Sequence, residues 1–125
     1  MRLALALAGF LIAASVAAAG PTGVSAPLPD GLRELAEAAV RETLGAPQTA
    51  RFRRIEGYQL SDGGWAVCGQ VNSRNFTSLR MGWKPIFLRF QVENGGYSLI
   101  RRIVDWPADV ACRHLDMGWP LRTRN

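Results

Sequence analysis

The chain has 125 residues, 48% of them hydrophobic, and a formal charge of +5. That length holds one domain with one modest core. A single histidine and two cysteines leave too few ligands for a zinc cluster, and no nucleic-acid motif accompanies the basic residues.

The chain opens as an export signal. Arg2 supplies the positive charge, and Leu3 to Val16 is apolar except at Gly9 and Ser15. Ala17-Ala18-Ala19 places small residues where a signal peptidase reads, so cleavage is expected after Ala19. An uncleaved membrane anchor is the alternative, but the run lies near the lower limit of ~17–25 residues for a spanning helix. Residues 1–19 thus read as a signal peptide, and the protein as periplasmic or secreted, with no stable membrane insertion after cleavage. Only Arg2 among the charged residues is removed, so +5 becomes +4. In an oxidising compartment the two cysteines, Cys68 and Cys112, are expected to form one disulfide.

Residues 20–29 contain Pro21, Pro27 and Pro29 and read as a disordered spacer. A single domain is expected over residues 30–120. Asp30 reads as the N-cap of a helix whose apolar face is Leu32, Leu35, Ala36, Ala39, Val40 and Leu44. Glu37 and Arg41 stand at i,i+4 spacing, and Gly45 and Pro47 end the helix.

Strands follow. Arg51 to Tyr58 breaks strict alternation, which predicts a bulged, short or edge strand. Ser61 to Gly64 reads as a turn. Trp65 to Asn72 alternates, with Val67, Gly69 and Val71 on one face and Ala66, Cys68 and Gln70 on the other. In Pro85 to Glu93, Ile86, Leu88 and Phe90 share a face opposite Phe87 and Arg89. Asn94-Gly95-Gly96 is a hairpin signal, and Tyr97 to Val104 is its return strand. A short final helix opens near Pro107 and carries Cys112. Residues 121–125 form a basic tail expected to fray. The fold class is α+β: an N-terminal helix on a roughly four-stranded antiparallel sheet, with a C-terminal helix tied by the disulfide.

Two segments carry a resemblance. Pro47-Gln48-Thr49-Ala50-Arg51-Phe52-Arg53 is similar to a P-x-S/T-A-x-F-R motif, and Val67 to Asn75 to V-C-G-x-V-N-x-K/R-N. Gly82-Trp83-Lys84-Pro85 follows at matching spacing. These motifs resemble those of a family of small exported proteobacterial proteins over roughly residues 44–90. The family carries Gly-Gly-Tyr where this chain has Phe76 to Met81. The resemblance implies an exported domain and assigns no activity.

No phosphate loop, nucleophile elbow or dinucleotide fingerprint is present, and no cofactor or metal is expected. His114 reads as a surface residue. Asp105, Asp109 and Asp116 read as helix-start and capping residues. Trp65, Trp83, Trp106 and Trp119 are expected to fill or cover the core, the alternative being Trp83 and Trp119 as exposed anchors for a partner. The candidate binding loop is Asn72, Arg74, Asn75, Arg80 and Trp83, where aromatic and Arg residues combine as interface anchors do. The expected function is a non-enzymatic module that binds a protein or an anionic envelope component. The alternative is a small envelope enzyme or an inhibitor of a cell-wall hydrolase.

Overall fold

The computed structural model describes Gly9, residues 19–74 and residues 82–122. The cleavage position aside, the expected signal peptide lies almost wholly outside these residues, as do Asn75, Arg80 and the end of the tail.

Seven elements follow in order: β1 (Gly23–Ser25), α1 (Leu32–Arg41), β2 (Ala46–Leu60), β3 (Trp65–Arg74), β4 (Lys84–Glu93), β5 (Gly96–Val104) and α2 (Ala108–Asp116). The strands form one antiparallel sheet in sequence order. The fold is α+β, and the helix that carries Cys112 is tied to β3 by the Cys68–Cys112 disulfide, with Cα atoms 6.0 Å apart.

The helix spacing is met by burial of Leu32, Ala36, Ala39 and Val40, but Leu35, expected on the same face, is 47% exposed. Its ends differ from expectation. Asp30 makes no cap; Gly31, at φ 83, precedes the first turn. The last regular residue is Arg41 rather than Leu44. There the Thr43 hydroxyl donates to the Val40 carbonyl at 2.7 Å, and Thr43 and Leu44 N–H groups bond three residues back. This side-chain competition and the tighter spacing turn the chain out of the α-helix. Glu37 pairs with Arg33 at 3.5 Å instead of Arg41, whose guanidinium lies 5.0 Å from the Phe52 ring centre.

The fifth strand is β1, inside the segment expected to be a disordered spacer. Gly23, Val24 and Ser25 pair with Leu60, Gln59 and Tyr58. The prolines flank this pairing rather than interrupt it, so no ladder donor is lost. Gly20 packs where a Cβ would stand 2.2 Å from the Leu121 carbonyl oxygen, and the Leu121 N–H donates to the Pro21 carbonyl at 2.9 Å. Leu121 is buried, so the beginning of the expected frayed tail belongs to the core.

The alternation in β2 fails because its pairing register shifts between Ala46 and Arg51 and again between Arg53 and Glu56. Arg54 takes φ 55 in the second irregularity. Gly69 faces it: a Cβ there would meet Ile55 Cδ1 at 2.5 Å. The Asn94-Gly95 turn has φ 49 and 76, values that Asn and Gly tolerate best.

The two helices cover opposite faces of the sheet. Val67, Val71, Ile86, Leu88 and Phe90 pack with α1. Ala66, Cys68, Phe87 and Ile103 pack with Ala108, Ala111 and Leu115 of α2. Residues 86–88 are therefore all buried, although strand period alone would expose one side.

Candidate functional site

Strand alternation and register bring a polar set to the α1 face at one end of the sheet. Ser73 follows Val71 by two residues, Lys84 pairs across from Val71, and Arg102 pairs across from Leu88. With Val104, also on this face, they border a cleft of about 540 Å³ that Thr43, Leu44, Arg74, Gly82 and Asp105 complete. The turn after α1 places Thr43 and Leu44 there. The floor is apolar, from Leu44, Val71 and Val104, and the rim is cationic.

Two of the three cations have protein partners. Lys84 Nζ lies 3.1 Å from Asp105. The Arg102 guanidinium lies 2.9 Å from Glu42 and donates to the Ala39 carbonyl at the same distance. Arg74 is exposed, and its guanidinium makes no ion pair among the described residues. Its backbone N–H donates to Thr49 Oγ1 at 2.9 Å. The Trp106 N–H, and then Lys84, hold the Asp105 carboxyl below its usual range.

Ser73 is the buried polar residue of the described chain, at 7% exposure. Its hydroxyl makes no hydrogen bond with any described residue. The residue is buried while its oxygen keeps contact with solvent in the cleft. The oxygen of a ligand in the cleft can accept from that hydroxyl.

The expected binding loop is thus divided. Arg74 lines the cleft. Trp83 stands on the other side, where the Arg53 guanidinium lies 4.1 Å from its ring centre and bonds Gln70 at 2.7 Å. Asn72 falls on that side by alternation. Asn75 and Arg80 lie outside the described residues. Sequence reasoning passed over Ser73, Lys84 and Arg102. The signal for Ser73 was available: it continues the Val67, Gly69, Val71 face, so a hydroxyl there is turned toward the core side.

A second polar cluster lies across the sheet, in a cavity of about 250 Å³ bordered by both cysteines. The Tyr58 hydroxyl bonds both Asp116 and Glu56. Burial, then hydrogen bonding to Asp116 and Glu56, pushes the Tyr58 phenol well above the usual tyrosine range. Of the three aspartates expected as helix-start and capping residues, Asp109 lies in the first turn of α2, but none supplies a side-chain cap, and all three have other partners. Asp116 meets Tyr58, Asp109 pairs with Arg113 at 2.8 Å, and Asp105 meets Lys84 and the Trp106 N–H. The N-cap of α2 is Pro107, with no side-chain cap.

Aromatic burial also departs from expectation. Trp65 packs against the α1-side core, but Trp106 is 73% exposed and Trp119 52% exposed. Among the described residues no group of His, Cys, Asp and Glu is placed to hold a metal ion. No described helix is long and apolar enough to cross a membrane. The chain matches no known protein family, and no curated protein or solved structure is significantly similar to it.

Proposed function

We propose that this chain is an exported, non-enzymatic envelope protein that binds an anionic group of an envelope component in the cleft bordered by Ser73, Arg74, Lys84 and Arg102. The apolar leader, the small residues that end it and the disulfide between its only two cysteines support an oxidising destination. The two motifs that resemble small exported proteobacterial proteins agree with it.

One observation carries the binding reading. The Ser73 hydroxyl, with no hydrogen bond among the described residues, faces a cleft bordered by three cations. A phosphate or carboxylate oxygen satisfies Ser73, and its charge is matched by Arg74, which has no ion pair among the described residues. The floor of Leu44, Val71 and Val104 receives the carbon part of the ligand. Cleft volumes of roughly 300–1,000 Å³ suit small molecules or single groups of larger ones.

The test is titration of the disulfide-bonded protein with inorganic phosphate and with hexyl phosphate, followed by amide NMR. Shifts should centre on Val71 to Arg74 and on Arg102 to Asp105. Hexyl phosphate should bind at least about tenfold more tightly, because each buried methylene contributes about 0.8 kcal/mol. Ser73→Ala and Arg74→Ala should each weaken binding severalfold without unfolding the protein. Unchanged affinity in both variants, or shifts mapping elsewhere, overturns the reading.

A further inference from the structure

The outward side of α2 carries Asp109, Arg113, His114 and Asp116 beside Val110, and an exposed apolar pair, Met117 and Trp119, follows at its C-terminal end. Ala108, Ala111 and Leu115 are buried against the sheet. Val110, Arg113, His114 and Met117 face away and, with Trp119, border a shallow cavity of about 270 Å³. Met117 is 61% exposed and Trp119 52%.

Trp119 is held in place rather than loose. Its N–H donates to the His114 carbonyl at 2.8 Å. Its ring meets the His114 imidazole edge-on, with centres 5.6 Å apart. The His114 Nδ1–H donates to the Pro120 carbonyl at 2.9 Å, which fixes the same turn. The protein therefore positions a large apolar ring in water, beside an exposed methionine.

The chain outside the fold arrives at this same place. Leu121, two residues from Trp119, bonds Pro21 and packs on Gly20. Immediately before Gly20 runs the apolar segment from Leu3 to Ala19. The point where the apolar leader joins the domain is thus the edge of the Met117–Trp119 surface. Arg113, paired with Asp109 at 2.8 Å, and Arg122 are exposed beside it, with Asp116 on the same helix, on a chain of net positive charge.

We infer that the outer face of α2 docks on the surface of a lipid bilayer containing anionic lipid. Trp119 and Met117 enter the interface, and Arg122 meets the headgroups. Tryptophan favours that boundary because it is apolar with one polar N–H, and neighbouring Arg adds attraction to anionic lipid. While the leader is attached, it holds this face at the membrane. After cleavage the same residues remain part of the fold. This inference does not depend on the cleft, which lies on the other face of the sheet.

Every described strand pair, hydrogen bond and core residue lies within residues 20–121, so the chain beginning at Gly20 carries the whole core. That oxidised chain is mixed with phosphatidylethanolamine vesicles containing about 30% phosphatidylglycerol and followed by flotation. Tryptophan quenching by brominated acyl chains is read on the unaltered protein. Flotation with quenching is expected. The Met117→Asp/Trp119→Asp variant should float at least about tenfold less. Leu35→Asp, at an apolar residue on α1 that is 47% exposed, should float as the unaltered chain does. Three results each overturn the inference: no flotation of the unaltered chain, equal loss in both variants, or flotation that survives the α2 variant.

Discussion

Replacing both Cys68 and Cys112 with alanine removes the one covalent link between sheet and C-terminal helix. The bridge spans 44 positions. On the chain-entropy argument, closing such a loop stabilises the fold by about 4 kcal/mol. Alanine is the appropriate replacement because Cys68 is buried, where a serine hydroxyl would lack a partner. What remains to hold α2 is slight. Its buried side chains are two alanines and Leu115, with the Tyr58–Asp116 hydrogen bond at its end. Full burial of one leucine is worth about 1.5–3 kcal/mol. An unfolding entropy of about 2 cal/mol/K per residue converts 4 kcal/mol into a fall in Tm of roughly 15–20 °C for a domain of this size. Calorimetry of the oxidised protein and the double variant measures it, and α2 amides should lose hydrogen-exchange protection first. A fall smaller than about 5 °C would refute the brace, as would two titratable thiols in protein purified without reductant.

Other perturbations read single contacts. Phe87→Ala empties the fully buried site beneath α2 and should cost about 3–5 kcal/mol in urea unfolding. Tyr58→Phe removes the hydroxyl between Glu56 and Asp116; a loss of about 1–2 kcal/mol is expected by the same assay. Gly20→Val places a side chain against the Leu121 carbonyl, so exchange at the Leu121 amide should accelerate at least about tenfold as its opening is favoured. Acid should destabilise the fold in a defined window. Burial disfavours the Asp62 carboxylate, but the Gly64 N–H and Arg89 outweigh it, and Asp62 titrates below its ordinary value, as Asp105 does. The folded state then binds fewer protons. Both contributions are present above the unfolded value of about 3.9 and are lost as pH falls through the lower folded values. Thermal melts should show Asp62→Asn less stable than the unaltered chain at neutral pH, with the difference vanishing in strong acid.

Local rules revealed most of the elements because most of the elements obey local rules. The spacing from Leu32 to Val40, the alternation in Val67 to Val71 and the Asn94-Gly95 turn are each satisfied by neighbours in sequence. The cysteine pairing was legible through their even number and the apolar leader rather than through geometry. Where the reading failed, a distant partner decided. A Pro-rich segment became β1 because Leu60, Gln59 and Tyr58 offered it a free edge. Helix placement on both faces buried Phe87, which strand period alone had set beside exposed residues. The candidate loop mixed residues that chain direction unites and the pleat divides: Arg74 went to the cleft, and Trp83 went to Arg53. Register, not local sequence, places Arg102 under the end of α1, where it reaches the Ala39 carbonyl and Glu42.

The sheet itself separates the two surfaces proposed for this protein. The cleft opens on the α1 face, between the end of that helix and the strands β3 to β5. The Met117–Trp119 surface belongs to α2, on the opposite face. With α2 against a bilayer, the cationic cleft points away from that membrane, toward soluble or wall-side anions. The two surfaces therefore answer to different perturbations. Ser73→Ala acts on a hydroxyl in the cleft and leaves vesicle flotation intact. Loss of the disulfide loosens α2 and lowers flotation more than it lowers phosphate binding, because Ser73, Lys84 and Arg102 sit on strands that the sheet ladder holds without α2. A variant that moved both readouts together would place them on one surface and contradict the layered arrangement from which each was derived.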